Sequence, residues 1–194
     1  METVVAVGHE VRLSAASAQI TEVRDVARRE AFARAIAAPE RTLLALDFDK
    51  GPGFFSRHKL VPGESEKDKA ISARPLDDQH WGGFVRGARH NLFTAQPGVE
   101  IRFRYLLSEK TILLVRGYNR DRKANCGTLV LEPVVGAWGT LVIHPADFTE
   151  GANKAGDALS PADLFTSFEI LVGRADKPVT FLLDDLVIVE TTER

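Results

Sequence analysis

Beyond residue 41 the chain is cut into short apolar runs by turn-forming Gly, Pro, Asn and Asp, and this punctuation constrains the fold more than any other feature. The runs TLLALDF, FFSRHKLV, GGFVRG, HNLFTA, VEIRFRYLL, TILLVRGY, GTLVLEPV, WGTLVIH, FTSFEILVG and PVTFLLDDLVIVE have strand length. Several alternate. In VEIRFRYLL, Val99, Ile101, Phe103 and Tyr105 fall on one side and Glu100, Arg102 and Arg104 on the other, the period of a half-buried strand. Many short strands with few helices predict an all-β fold over residues 42–194, an antiparallel β-sandwich of jelly-roll type. The polar stretch PGESEKDKAISARPLDDQ reads as a long surface loop.

The first 41 residues have a different period. After the alternating start TVVAVGHEVRL, the residues Val23, Val26, Ala27, Phe32, Ala35 and Ile36 recur at helical spacing. Ser17 or Thr21 offers a cap and Pro39 a stop, which predicts one N-terminal amphipathic α-helix over residues 21–38. Residues 1–41 are thus expected to form a strand-and-helix appendage. Arg24, Arg28 and Arg34 on its other face read as a solvated surface.

Composition narrows the function classes. With 25 basic and 27 acidic residues the net charge is −2, so no global field recruits nucleic acid or an anionic membrane. The single cysteine, Cys126, excludes an intrachain disulfide and any CxxC zinc pattern. No apolar stretch approaches the roughly 18 residues of a membrane helix, and METVVAVGHE lacks the basic and apolar regions of a signal peptide.

The run TFLLDDLVIVE poses a chemical problem. In a regular strand neighbouring side chains face apart, so one of Asp184 and Asp185 is expected among apolar side chains. A carboxylate there needs a hydrogen-bonded, cationic or metal partner. A calcium ion, which takes six to eight oxygens, backbone N–H donors, or a basic side chain such as Lys50 would answer that need.

Three stretches in order, LLALDFDKG, GAWGTLVIHPADFT and LFTSFEILVGRADKPVTFLLDDLVIVE, resemble the β-jelly-roll carbohydrate-binding modules. These form a galactose-binding-like superfamily that includes the family 11, 4 and 22 modules and the CIA30-type domains. The resemblance covers roughly residues 42–190 as a spacing pattern. It implies a secreted or periplasmic accessory domain of a glycan-active enzyme, with a polysaccharide or oligosaccharide as ligand and a catalytic domain of the same parent protein as partner. It also implies a structural calcium on Asp47 or Asp49 from the first turn and Asp184 or Asp185 from the last strand.

Candidate ligand contacts follow from side-chain type. Trp81, in DDQHWGGF, lies between a polar loop and two glycines, and with His80, Phe84 and Tyr118 it is the first choice for a sugar platform. Trp138 is expected to be largely buried. Arg102 and Arg104, with Arg86, Arg89 and Arg116 on nearby strands, form a second candidate: on one open sheet face they would grip carboxylates or sulfates. Pairing with Glu100, Asp121 and Glu132 is the competing reading.

Catalytic signatures are sparse. No GxSxG, HExxH, P-loop or Rossmann fingerprint occurs. A polysaccharide lyase built on Arg89, His90, Arg116 and Tyr118 is one alternative, and a spacer domain without a ligand is another. The primary expectation is a non-catalytic carbohydrate-binding module.

Overall fold

The computed structural model describes residues 41–65, 67–76, 78–152 and 157–191 of the chain. The helix predicted over residues 21–38 lies outside them. Among the described residues are twelve strands: β1 (Arg41–Leu46), β2 (Leu60–Pro62), β3 (Lys69–Ser72), β4 (Arg74–Pro75), β5 (Trp81–Thr94), β6 (Val99–Leu107), β7 (Leu113–Asn119), β8 (Ala124–Val130), β9 (Trp138–Ile143), β10 (Thr149–Glu150), β11 (Leu164–Gly173) and β12 (Phe181–Glu190). They build an all-β, two-sheet antiparallel sandwich. The first sheet runs β2-β3-β12-β6-β9 with β1 also on β12, and the second runs β10-β8-β7-β11-β5-β4.

Alternation along each strand decides what the sheets bury. On β6, Val99, Ile101, Phe103, Tyr105 and Leu107 are each 1% exposed or less, while Glu100 and Arg102 on the other phase are half-buried. The second sheet answers with Val85, Val115, Phe165, Phe168, Ile170 and Val172. Phe103 and Phe168 meet between the sheets at 5.9 Å, and Phe93 stacks on Phe165 at 4.7 Å. Burying each such side chain contributes about 1.5–3 kcal/mol. The phenol of Tyr105 keeps its polar end satisfied by accepting the Val134 N–H at 2.6 Å.

Three expectations change. The polar stretch read as a loop contains β3 and β4, and Ala70 and Ile71 there are fully buried, because a short apolar pair suffices to add a strand to β12. FFSRHKLV contributes only the start of β2. Residues 54–59 form successive turns, with Phe55 N–H donating to Pro52 O at 2.9 Å and His58 N–H to Phe55 O at 2.9 Å. GGFVRG and HNLFTA merge into β5, a 14-residue strand whose pairing with β11 shifts register beside Asn91, where φ is 52°.

The strand β12 resolves the aspartate problem by breaking its own alternation. Its register with β6 shifts between Asp184 and Val187, and Asp185 adopts φ 47°, the left-handed conformation of an inserted bulge residue. Leu183 and Leu186, three positions apart, both reach the core. The two aspartates share the outer side instead of facing apart.

Candidate functional site

The aspartate pair meets an arginine. Register places Asp184 opposite Arg104 on β6, and Arg104 Nη1 lies 3.0 Å from Asp185 Oδ2 and 3.8 Å from Asp184 Oδ2. Its Nη2 is bound by Glu64, and its guanidinium stacks over the Trp138 ring at 5.1 Å. The positive group beside the pair is therefore Arg104, expected from its residue type to contact ligand but in fact only 9% exposed. Trp138, expected to be largely buried, is half-buried, because it stands on the outer phase of β9 while Gly139 takes the inner position against the Tyr105 ring.

One guanidinium faces three carboxylates there, and the charges do not cancel. Burial and then the neighbouring Asp185 charge push the Asp184 carboxyl up to about 7, against the Asp185 N–H bond and Arg104. Burial raises Asp185 as well, although the Arg104 hydrogen bond opposes it. For Arg104, burial disfavours the charge, but Asp185, Glu64 and Asp184 override it and hold the guanidinium above its ordinary value. Asp47 and Asp49 are exposed; Asp49 accepts the Lys69 N–H at 3.0 Å, and Asp47 reaches the pair only as a nearby charge on Asp185. Among the described residues no group of three or more His, Cys, Asp or Glu side chains converges to hold a metal.

The second sheet carries a different surface. Cross-strand register aligns Phe84, Leu171 and Leu114 in one row, and Arg86, Glu169 and Arg116 in the next. These rows lie on the face opposite Val85, Ile170 and Val115, which fill the core. Arg116 Nε donates to Glu169 Oε2 at 2.6 Å, and exposed Tyr118 follows on the same phase of β7. The β5 edge of this face borders a cleft of about 510 Å³ lined by Phe54, Arg57, His58, Arg74, Phe84 and Arg86, together with Ser56 and Ala88.

Turn residues 54–58 build one wall of this cleft. Phe54 stacks on buried Phe55 at 4.5 Å and lies so close to β5 that a Cβ at Gly87 would stand 2.3 Å from its ring. Glycine is what lets the wall approach. Beyond the short β4, the β5 edge is capped by His58, whose Nε2 accepts the Arg86 N–H at 3.0 Å. Its Nδ1, 3.2 Å from Ser72 O, carries the proton and donates it. Burial holds this imidazole below its ordinary pKa, so it is neutral with both nitrogens engaged. Arg74 lies over the Phe84 ring at 5.7 Å. Among the described residues no carboxylate forms an ion pair with Arg57, Arg74 or Arg86.

The candidate ligand residues are thus divided. Phe84 lines the cleft, and Tyr118 shares its face two strands away. Trp81, half-buried, and His80, exposed, stand at the start of β5, where His80 O accepts the Arg174 N–H at 3.2 Å. Arg102 and Arg104 belong to the first sheet and Arg86 and Arg116 to the second, so the arginines do not form one face; Arg102 is held by Glu100 at 2.7 Å. His90 and Arg89 are exposed on β5, and β11 separates that strand from Arg116 and Tyr118 on β7. Phe54, Arg57, His58 and Arg74 were not anticipated. The polar SRH triplet after two phenylalanines signals Phe54, Arg57 and His58, since a strand there would alternate and this one does not; nothing in the sequence signals Arg74.

No family model matches the chain, and no curated protein does. Solved structures with similar architecture include the family 11 carbohydrate-binding module from Clostridium thermocellum in complex with a β-1,3-1,4-mixed-linked tetrasaccharide. It has 13% identity and TM-score 0.44, covering 70% of this chain and 83% of that one. The family 30 module of a cellulosomal cellulase of the same organism gives 14%, 0.45, 70% and 83%. A family 29 module complexed with cellulohexaose gives 11%, 0.41, 78% and 81%. Values this low carry no inference about ligand. Among the described residues no helix is long and apolar enough to cross a membrane.

Proposed function

We propose that the domain is a non-catalytic carbohydrate-binding module that holds a polysaccharide or oligosaccharide against the outer face of the second sheet. The observation that carries this reading is the union of an aromatic-walled cleft, Phe54 and Phe84, with exposed guanidinium donors at the β5 edge of that face. A sugar ring presents apolar C–H faces and polar edges, and such a surface offers partners for both. Hydrolysis of a glycoside needs two carboxylates across a cleft, and elimination needs an available base. Glu169 is bound to Arg116 and His58 has both nitrogens engaged, which supports binding over catalysis.

The finer parts of the reading are jelly-roll wiring, a secreted or periplasmic location, and attachment to a catalytic domain. A calcium ion on Asp47, Asp49, Asp184 and Asp185 is a separate proposal. As placed, the donors fit it poorly, because Arg104 already lies against both carboxylates of the pair. A melting temperature lowered by chelation supports calcium; an unchanged one leaves the neutralisation to Arg104.

The test of function is a glycan array followed by calorimetry on retained glycans. Phe84→Ala is expected to weaken binding by at least about tenfold, with the melting curve confirming that the variant is still folded at the binding temperature. Failure to retain any plant, algal or microbial glycan favours a spacer domain. Release of unsaturated oligosaccharides overturns the binding reading and turns attention to His90 and Tyr118.

A further inference from the structure

We infer that the cleft beside β5 selects an acidic glycan, one whose sugars carry carboxylate or sulfate groups. The inference rests on the binding-module reading and adds the chemical class of its ligand. Its basis is a local reversal of charge. The chain as a whole is acidic, at net −2, yet the described residues lining this cleft include Arg57, Arg74 and Arg86 and no Asp or Glu. All three arginines are exposed, and no carboxylate among the described residues pairs with them. Arg102, Arg116 and Arg122 elsewhere on the domain each have a carboxylate partner.

The geometry favours bound anions over free solvent in two further ways. Arg74 is held over the Phe84 ring, so part of its side-chain freedom is already lost before a ligand arrives. Arg86 projects from a backbone anchored through its N–H to the buried His58, which is itself fixed to Ser72. Guanidinium groups pair with carboxylate and sulfate through two parallel, charge-assisted N–H bonds, which are stronger than the bonds they make to neutral hydroxyls. Phe54 and Phe84 then face the sugar ring between its charged groups, and about 510 Å³ lies in the size range of ligand sites, roughly 300–1,000 Å³.

The experiment is affinity electrophoresis and calorimetry of the full chain against polygalacturonate, chondroitin sulfate, a neutral β-glucan and single-stranded DNA, at low and high salt. The comparison includes Arg74→Ala, Arg86→Ala and the double variant, with melting curves confirming that each is folded. One acidic glycan is expected to bind more tightly than the β-glucan. Each single substitution should weaken it by about tenfold, with salt dependence reduced in the double variant. Arg74→Lys, Arg86→Lys should recover only part of the loss, because the charge returns without the paired donors. The polygalacturonate and chondroitin sulfate arms separate carboxylate from sulfate as the recognised group. Retention of the β-glucan alone, unchanged in the arginine variants, overturns the acidic class while leaving the binding module standing. Retention of no glycan overturns both. Binding of DNA with the same arginine dependence and no acidic glycan overturns the glycan assignment.

Discussion

Replacing Asp184 with asparagine tests the charge imbalance in the first sheet. Asp184 is 3% exposed, and its carboxyl is pushed from 3.8 up to about 7 by burial and by Asp185. The folded state therefore keeps a proton that the unfolded chain has released between about pH 4 and pH 7. Stability from the protonated carboxyl is fully present below the unfolded value and drains away as pH rises through the folded one. About three pKa units at 1.36 kcal/mol each set the loss at about 4 kcal/mol. Asparagine is neutral at every pH, and its side-chain oxygen still accepts the Asp185 N–H that Asp184 accepts at 2.8 Å. D184N and the parent protein should therefore melt together near pH 4. By pH 8 the variant should be the more stable by about 4 kcal/mol, or roughly 8–16 °C for a chain of this size. Thermal and urea unfolding at half-unit pH steps measure the gap. A gap that stays constant from pH 4 to pH 8, or a variant less stable at pH 8, would refute the reasoning.

Two further outcomes follow from the same packing. Arg104→Met removes the guanidinium shared by Glu64, Asp184 and Asp185, and should cost about 3–5 kcal/mol at pH 8 and less at pH 4, where Asp184 is protonated; equal urea-midpoint losses at both pH values contradict this. Phe168→Ala empties a fully buried position that touches Phe103 across the sheets and Phe55 in the turn, with an expected loss of about 3–5 kcal/mol in denaturant unfolding. A loss below about 1 kcal/mol would mean the core closes over the gap.

The sequence alone determined the all-β class and the inward phase of regular strands. In β6 and β7 the period-2 pattern is a local steric consequence of the pleat, so it can be read one strand at a time, whereas in β12 the bulge breaks it. It also showed that an aspartate of the Asp184–Asp185 pair needs a hydrogen-bonded, cationic or metal partner. Only the tertiary structure decided which partner, because Arg104 lies 81 positions from Asp185 and meets it through the register of β6 with β12. The bulge at Asp185 was hidden for the same reason: a single inserted residue is visible only against the strand it pairs with. Alternation likewise told that Arg86, Arg102, Arg104 and Arg116 avoid the core, but not that they divide between two sheets. The cleft was the least legible part, since residues 54–58, Arg74 and the Phe84–Arg86 edge are distant in sequence and meet only because Gly87 admits the Phe54 ring and His58 caps a strand edge. Side-chain phase is set by neighbours in the chain; the choice of partner strand, and every surface assembled from it, is set by contacts that no local pattern encodes.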